Sequence, residues 1–406
     1  MAPLCLERAG AVPLAVDITV SDIKSGGDFL EPLLPHTSRI GRLRLAGYSS
    51  VESVANDLPG FFDSPVLNLT SLELQQTTEP TELFPPTGAS VPPVFQNVAK
   101  LESLCLTRTP LYSTLFSIAS LRELKLIGYK NLFNFGTFVG FLRSNIDLER
   151  VVSDIQFVAD SVRIPRGRTM VPLSRLQHLS ITCSKPIDSK GLLSYISLPR
   201  GARIEVISTH PDQSAKLSSF LPSPPMPIQK LLAPITTVKT QITPQELHLF
   251  GNGSVFTFRT TQPALGGFSD WSLFPTTTVR EFHTDVRPFT YTNTGLSIVM
   301  GRLPALEVLA ISQTAFPVGL LYALTEEPVL CPALKTIAFL ECKIDSDIVK
   351  QLGEAIAKRD STAARLHRVL IVSSTGTLPD FAAIQQLRES VPCVEVRVDD
   401  KLPDLS

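Results

Sequence analysis

One short apolar pattern recurs from one end of the chain to the other: an apolar residue, two free positions, an apolar residue, one free position and a third apolar residue. It reads Ile40-Leu43-Leu45, Leu69-Leu72-Leu74, Leu101-Leu104-Leu106 and Leu121-Leu124-Leu126. After a weak copy at Leu148-Val151 it returns as Leu176-Leu179-Ile181, and later as Val279-Phe282-Thr284, Leu306-Leu309-Ile311, Leu334-Ile337-Phe339 and Leu366-Val369-Ile371. Degenerate copies fit Leu14-Val16-Ile18, Ile204-Val206, Leu247-Leu249 and Val394-Val396-Val398. The starts at 40, 69, 101 and 121 lie 29, 32 and 20 residues apart, and those at 279, 306, 334 and 366 lie 27, 28 and 32 apart, in or just beyond the period of leucine-rich repeats. The last two apolar positions are two residues apart, the strand period, so both point to one face.

Segments with helical spacing lie between the strands: Val51–Phe62, Phe138–Arg143, Gly191–Leu198, Gly295–Leu303, Val318–Leu324, Asp347–Lys358 and Phe381–Val391. Asp345 or Ser346 is placed to cap the sixth. A single strand–helix unit is too small to bury its own apolar face, so the units must stack. The expected fold is α/β: a curved, right-handed leucine-rich-repeat solenoid with parallel strands on its concave face and helices on its convex face.

Two proline-rich stretches interrupt the rhythm. Residues 209–245 hold Pro211, Pro222, Pro224, Pro225, Pro227, Pro234 and Pro244, a density that excludes a long helix or central strand and predicts an insertion or loop. Thr77–Pro93 reads as a surface loop. Glu246–Arg259 then reads as strand, Gly251-Asn252-Gly253 turn, strand, a hairpin that sets Leu247 and Leu249 against Val255–Phe258. The expected organisation is an N-terminal repeat arc over 1–210, an insertion over 211–245 and a C-terminal arc over 246–406 continuous with the first.

Composition bounds the function. The 406 residues carry Lys+Arg 37 against Asp+Glu 38, a net charge of −1, which removes a global field drawing the chain to nucleic acid or to a membrane. No apolar run is long enough to span a bilayer. The six cysteines (Cys5, Cys105, Cys183, Cys331, Cys342 and Cys393) form no CxxC or Cys/His cluster. That spacing fits reduced thiols in a cytoplasmic or nuclear protein better than disulfides or zinc. No nucleophile elbow, P-loop, HExxH, GxGxxG or EF-hand loop is present, so no cofactor or metal is expected.

The free position between the last two apolar residues gives, in chain order, Arg44, Glu73, Cys105, Lys125, Ser180, Glu205, His248, His283, Ala310, Ala338 and Leu370. The early members are charged. The late ones are apolar, and Leu340 and Val372 continue the trend. An exposed apolar end of a concave strip predicts a protein-binding site over His248, His283, Ala310, Ala338, Leu340, Leu370 and Val372. The chain's own tail, Asp399–Ser406, is the other expected cover of that end. His248 and His283 are expected as neighbours on successive strands. An enzymatic alternative, a hydrolase or a metal-dependent enzyme, would use this pair beside the 246–259 hairpin, with Asp285 the nearest third ligand.

Several stretches resemble the repeat region of the large basidiomycete family of fungal F-box proteins. They are Leu6-Glu7-Arg8-Ala9-Gly10-Ala11-Val12-Pro13-Leu14, Leu34-Pro35-His36-Thr37-Ser38-Arg39-Ile40, Phe138–Arg150 and Val171-Pro172-Leu173-Ser174-Arg175-Leu176-Gln177-His178-Leu179. The resemblance implies a non-enzymatic substrate receptor or scaffold whose repeat arc holds a protein. It also implies a ubiquitin-ligase adaptor as partner only if an F-box precedes Met1, because the chain begins at the segment that follows that module in the family.

Overall fold

The computed structural model describes residues 10–19, 31–49, 68–78, 95, 98–112, 115, 118–157, 170–209, 217–222, 227–242, 245–251, 253–260, 276–285, 293–312, 316–360, 364–373 and 379–398. The expected helix at Val51–Phe62, the loop at 79–93, Asn252, Trp271 and the tail Asp399–Ser406 lie outside these residues. The fold is mixed α/β, dominated by mostly parallel sheet, and among the described residues no barrel closes. The chain forms two compact units, one of Met1–Thr209 with Ser219–Pro227 and one of His210–Ser218 with Ile228–Ser406.

The first unit contains β1 (Leu14–Thr19), β2 (Ile40–Tyr48), β3 (Ser71–Gln76), β4 (Ser103–Thr107), β5 (Glu123–Phe133) and β6 (Arg150–Phe157). It continues with β7 (Val171–Pro172), β8 (His178–Cys183), β9 (Ile196–Ser197) and β10 (Arg203–Ser208). Eight of these line up in chain order, all parallel, while β7 and β9 pair separately. Their register puts Leu43, Leu72, Leu104, Leu124, Val151, Leu179 and Ile204 in one row. Leu45, Leu74, Leu106, Leu126, Ser153, Ile181 and Val206 form the next. All are buried. Ser153 explains the weak copy at Leu148-Val151: a buried serine holds the place of its last apolar residue. At about 1.5–3 kcal/mol per buried aliphatic side chain, these rows dominate the unit's stability.

Strands β4, β5, β6 and β8 are entered by the same turn. The amides of Leu101, Leu121, Leu148 and Leu176 each donate to the carbonyl three residues earlier. One carbonyl of each repeat then accepts two consecutive amides of the next: Thr70 from Glu102 and Ser103, Glu102 from Arg122 and Glu123, Arg122 from Glu149 and Arg150, Glu149 from Gln177 and His178. The second unit repeats the device, with Arg280 accepting from Glu307 and Val308, Glu307 from Lys335 and Thr336, and Lys335 from His367 and Arg368. This forked ladder ties the backbone polar groups of each turn to the neighbouring repeat rather than leaving them without partners.

Among the described residues, the first unit carries two α-helices of ten residues each. In α1 (Phe135–Ser144), the Asn134 side chain caps the start by accepting the Gly136 amide at 2.9 Å, and Phe135, Phe138, Val139, Phe141 and Leu142 are buried. Pro186 opens α2 (Pro186–Tyr195), where its missing N–H costs nothing, so this helix starts five residues before the expected Gly191.

The second unit contains β11 (Ile235–Ile242), β12 (Gln245–Gly251), β13 (Ser254–Thr260), β14 (Glu281–Asp285), β15 (Val308–Ser312), β16 (Thr336–Leu340), β17 (Arg368–Ser373) and β18 (Cys393–Val398). Their order is β13-β12-β11-β14-β15-β16-β17-β18. The β12–β13 pair is the expected hairpin, with Leu247 opposite Phe258 and Leu249 opposite Phe256. Within 211–245, expected as an insertion or loop, residues 235–242 carry no proline, and their Thr, Val and Ile spacing makes β11, a strand between Pro234 and Pro244. Helices α3 (Asn293–Gly301), α4 (Gly319–Thr325), α5 (Ser346–Asp360) and α6 (Phe381–Ser390) follow at the expected places. Asp345 caps α5, accepting the Ile348 amide at 2.8 Å, while the Ser346 hydroxyl accepts the Asp380 amide.

Candidate functional site

In the first unit the free positions form a register row of their own: Asp17, Arg44, Glu73, Cys105, Lys125, Val152, Ser180 and Glu205. All but Ser180 are at least partly open to solvent. Arg44 bridges its two neighbours, with Nη1 2.8 Å from Asp17 Oδ2 and Nε 3.1 Å from Glu73 Oε1. These two carboxylates, Asp17 foremost, raise the guanidinium pKa above its usual value. At the far end, the Ser180 hydroxyl donates to Glu205 Oε2 at 3.0 Å. Burial, and next the Glu73 charge, push the Cys105 pKa up, so it stays a thiol at neutral pH. The adjoining row is Ala15, Arg42, Ser71, Ser103, Glu123, Arg150, His178 and Arg203. Together the two rows make a polar surface of mixed charge on rigid strands.

The corresponding row of the second unit is Thr257, His248, Lys239, His283, Ala310, Ala338, Leu370 and Glu395. It corrects the expected His248–His283 adjacency, because β11 inserts Lys239 between them. Two strand spacings, about 9.5 Å, separate the strands that carry them, too far for one shared metal ion. Among the described residues no group of three or more His, Cys, Asp and Glu side chains is arranged to hold a metal.

Each histidine instead pairs with the carboxylate two residues before it. His248 Nε2 lies 2.9 Å from Glu246 Oε2, and its Nδ1 lies 3.0 Å from the Thr257 hydroxyl, directly across the hairpin. Glu246 also pairs with Arg259, 2.6 Å away. His283 Nε2 lies 3.6 Å from Glu281 Oε2, which Thr237 also contacts through its hydroxyl. Burial, then the Lys239 ammonium, lower the His283 pKa, with Glu281 pulling the other way. The Lys239 ammonium sits 5.6 Å from the centre of the Phe250 ring. Carboxylate, imidazole and hydroxyl at Glu246, His248 and Thr257 have the order of a hydrolytic relay, but Thr257 is 1% exposed and its hydroxyl is closed to a substrate.

The exposed apolar end is also corrected. Ala310, Ala338, Leu340, Leu370 and Val372 are 0–7% exposed and form one buried cluster. Their strand neighbours Leu309, Ile311, Ile337, Phe339, Val369 and Ile371, which point to the opposite face, are buried as well. A strand buried on both faces reads as a continuous apolar run, and Val369-Leu370-Ile371-Val372 is one. Of the expected binding residues, only His248 and His283 are more than a few per cent exposed, about a fifth of each side chain.

Lys239, Glu246 and Glu281 are the members of this neighbourhood that sequence reasoning passed over. Lys239 lay hidden inside a segment read as loop. The carboxylates carried a signal, the twice-repeated Glu-x-His of Glu246-Leu247-His248 and Glu281-Phe282-His283, whose period of two places both side chains on one face. Compared with known protein families and with curated proteins, the chain matches none.

Proposed function

We propose that this protein is a non-enzymatic recognition module, a scaffold or receptor of the leucine-rich-repeat type, and that it binds a protein partner on the polar side of the first unit's strands. The observation that carries the reading is the row Asp17-Arg44-Glu73-Cys105-Lys125-Val152-Ser180-Glu205, held in register by eight parallel strands. The leucine rows bury the other side, so this side is free of any packing duty within the sheet. Ion pairs between neighbouring strands hold its charges in place, and little ordering entropy remains to be lost on binding. The forked ladder and the repeated entry turn support a repeat solenoid with this row on its concave face. The resemblance to F-box repeat regions points to a substrate-receptor role, with a ubiquitin-ligase adaptor engaged through an F-box.

The partner chemistry that fits is a folded protein surface of mixed charge rather than an apolar peptide, because Arg44, Lys125 and Arg150 alternate with Glu73, Glu123 and Glu205. A photo-crosslinking residue placed at Gln75 or Thr107 should capture a discrete partner, and one at the exposed Ile187 should not. Arg44→Glu with Lys125→Glu should abolish capture while circular dichroism stays unchanged. Equal yields from face and control positions, or capture indifferent to the charge reversal, would overturn the reading.

A further inference from the structure

Among the described residues of the first unit, Asp188 is a buried carboxylic acid with no ion pair. Asp188 lies in the first turn of α2 and is 2% exposed. It accepts the backbone N–H of Phe157, the last residue of β6. Its Oδ2 is buried and has no hydrogen-bond partner among the described residues. Phe157 in turn packs its ring against Phe135 at 5.0 Å and Phe138 at 5.8 Å, and Phe135 packs against Tyr195 at the other end of α2. The acid and the aromatic cluster thus fasten the two ends of one helix to β6 and α1.

We propose that Asp188 is a pH-responsive tether, protonated when α2 is firmly docked on the end of β6, and that its ionisation loosens this docking. A carboxylate in this position would leave one charged oxygen without a donor inside the protein, the costliest arrangement for a buried group. The surroundings divide. The Lys185 ammonium, the Phe157 amide and the N-terminal end of α2 favour the anion. Cys183 on β8 stays a neutral thiol, its pKa raised to about 12 chiefly by burial, and Asp154 on β6 adds negative charge beside it. Burial wins, and the Asp188 pKa stands at about 6 against an ordinary 3.8. Since the folded state holds its proton more tightly than the unfolded chain, the docked form is favoured in full below the ordinary value of 3.8 and weakens as pH rises from there through about 6. The full linkage is about a hundredfold in the local opening equilibrium.

Hydrogen exchange of the whole protein between pH 5 and pH 7.5 tests this, with rates expressed as protection relative to the unstructured chain at the same pH. Protection of residues 186–195 and of the Phe157 amide should fall about tenfold across that range. In Asp188→Asn it should stay flat while the strands of the unit remain unchanged. A fall of the same size in Asp188→Asn, or no fall in the wild type, overturns the proposal. Should the variant fail to fold, the wild-type Asp188 carboxyl carbon, followed by NMR, decides: a midpoint near 6 sustains the tether and one near 4 removes it.

Discussion

Arg359, at the end of α5, donates Nη2 to the carbonyl of Cys331 at 2.6 Å and Nη1 to that of Leu330 at 2.9 Å. The side chain is 1% exposed, and Cys331 holds a left-handed backbone with φ of 47°. The turn that enters β16 is thus pinned by a guanidinium reaching from the helix that follows that strand. Cys331 also sends its thiol to the Met300 carbonyl at 3.0 Å, tying the turn back to α3. Replacing Arg359 with Ala leaves two buried carbonyls short of a donor and opens a cavity, a loss of about 3 kcal/mol. Arg359→Met keeps the stem packing and should lose less. Urea unfolding of both variants, followed by circular dichroism, gives the comparison.

In the first unit, Thr109 is the hub of a buried hydroxyl chain. Its Oγ lies 3.0 Å from the Tyr48 hydroxyl, and its carbonyl accepts the Tyr129 hydroxyl at 2.6 Å. Burial raises both tyrosine pKa values, so both phenols stay protonated. Thr109→Val is expected to cost about 2 kcal/mol and Tyr129→Phe about 1 kcal/mol. The double variant should cost less than the sum, because both deletions break one network. Thermal unfolding of the four proteins measures the coupling.

Gly251 ends β12 where an added Cβ would run into the carbonyls of Leu232 and Pro234. Both obstacles are backbone and neither swings aside. Gly251→Ala should therefore destabilise the second unit by about 3 kcal/mol or more, chiefly through the hairpin. Gly253, with φ of 74° and open space around its Cα, should tolerate Ala at a cost of about 1 kcal/mol. A reversed order of the two variants in a denaturant titration would contradict this geometry.

Acid should act on the second unit in the sense opposite to that proposed for Asp188. The His283 pKa is lowered in the folded state, so the unfolded chain takes up the proton first as pH falls below the ordinary histidine value. Stability is then present above about pH 6.5 and declines on acidification. His283→Gln should flatten that decline. His178 in the first unit is lowered in the same direction by burial and by Arg150, so His178→Gln is needed to separate the contributions. Melting temperatures at pH 7.5 and 5.5 for wild type and both variants provide the readout.

The spacing of the leucines was enough to read the parallel strands, their order within the first unit, and α1, α3, α4, α5 and α6. Periodicity is a local property, and the residues that set it are the ones that end up buried. One feature resisted that reading. Proline density around 209–245 spoke for an insertion or loop, yet eight of the nine residues between Pro234 and Pro244 make β11, because proline excludes only the positions it occupies and the ladder bonds it would have donated.

Sequence by itself therefore determined which side chains share a row: Arg44 beside Glu73, Ala310 beside Ala338, Ala338 beside Leu370, each a consequence of the two-residue period of a strand. Whether a row is wet or dry was decided only by tertiary structure. The polar row of the first unit meets solvent, whereas Ala310, Ala338 and Leu370 are enclosed on the face that alternation alone would have left open. Tertiary structure also parted His248 from His283 by inserting Lys239. Period and alternation report the direction of a side chain from its own backbone, while its surroundings depend on which distant residues fold against it.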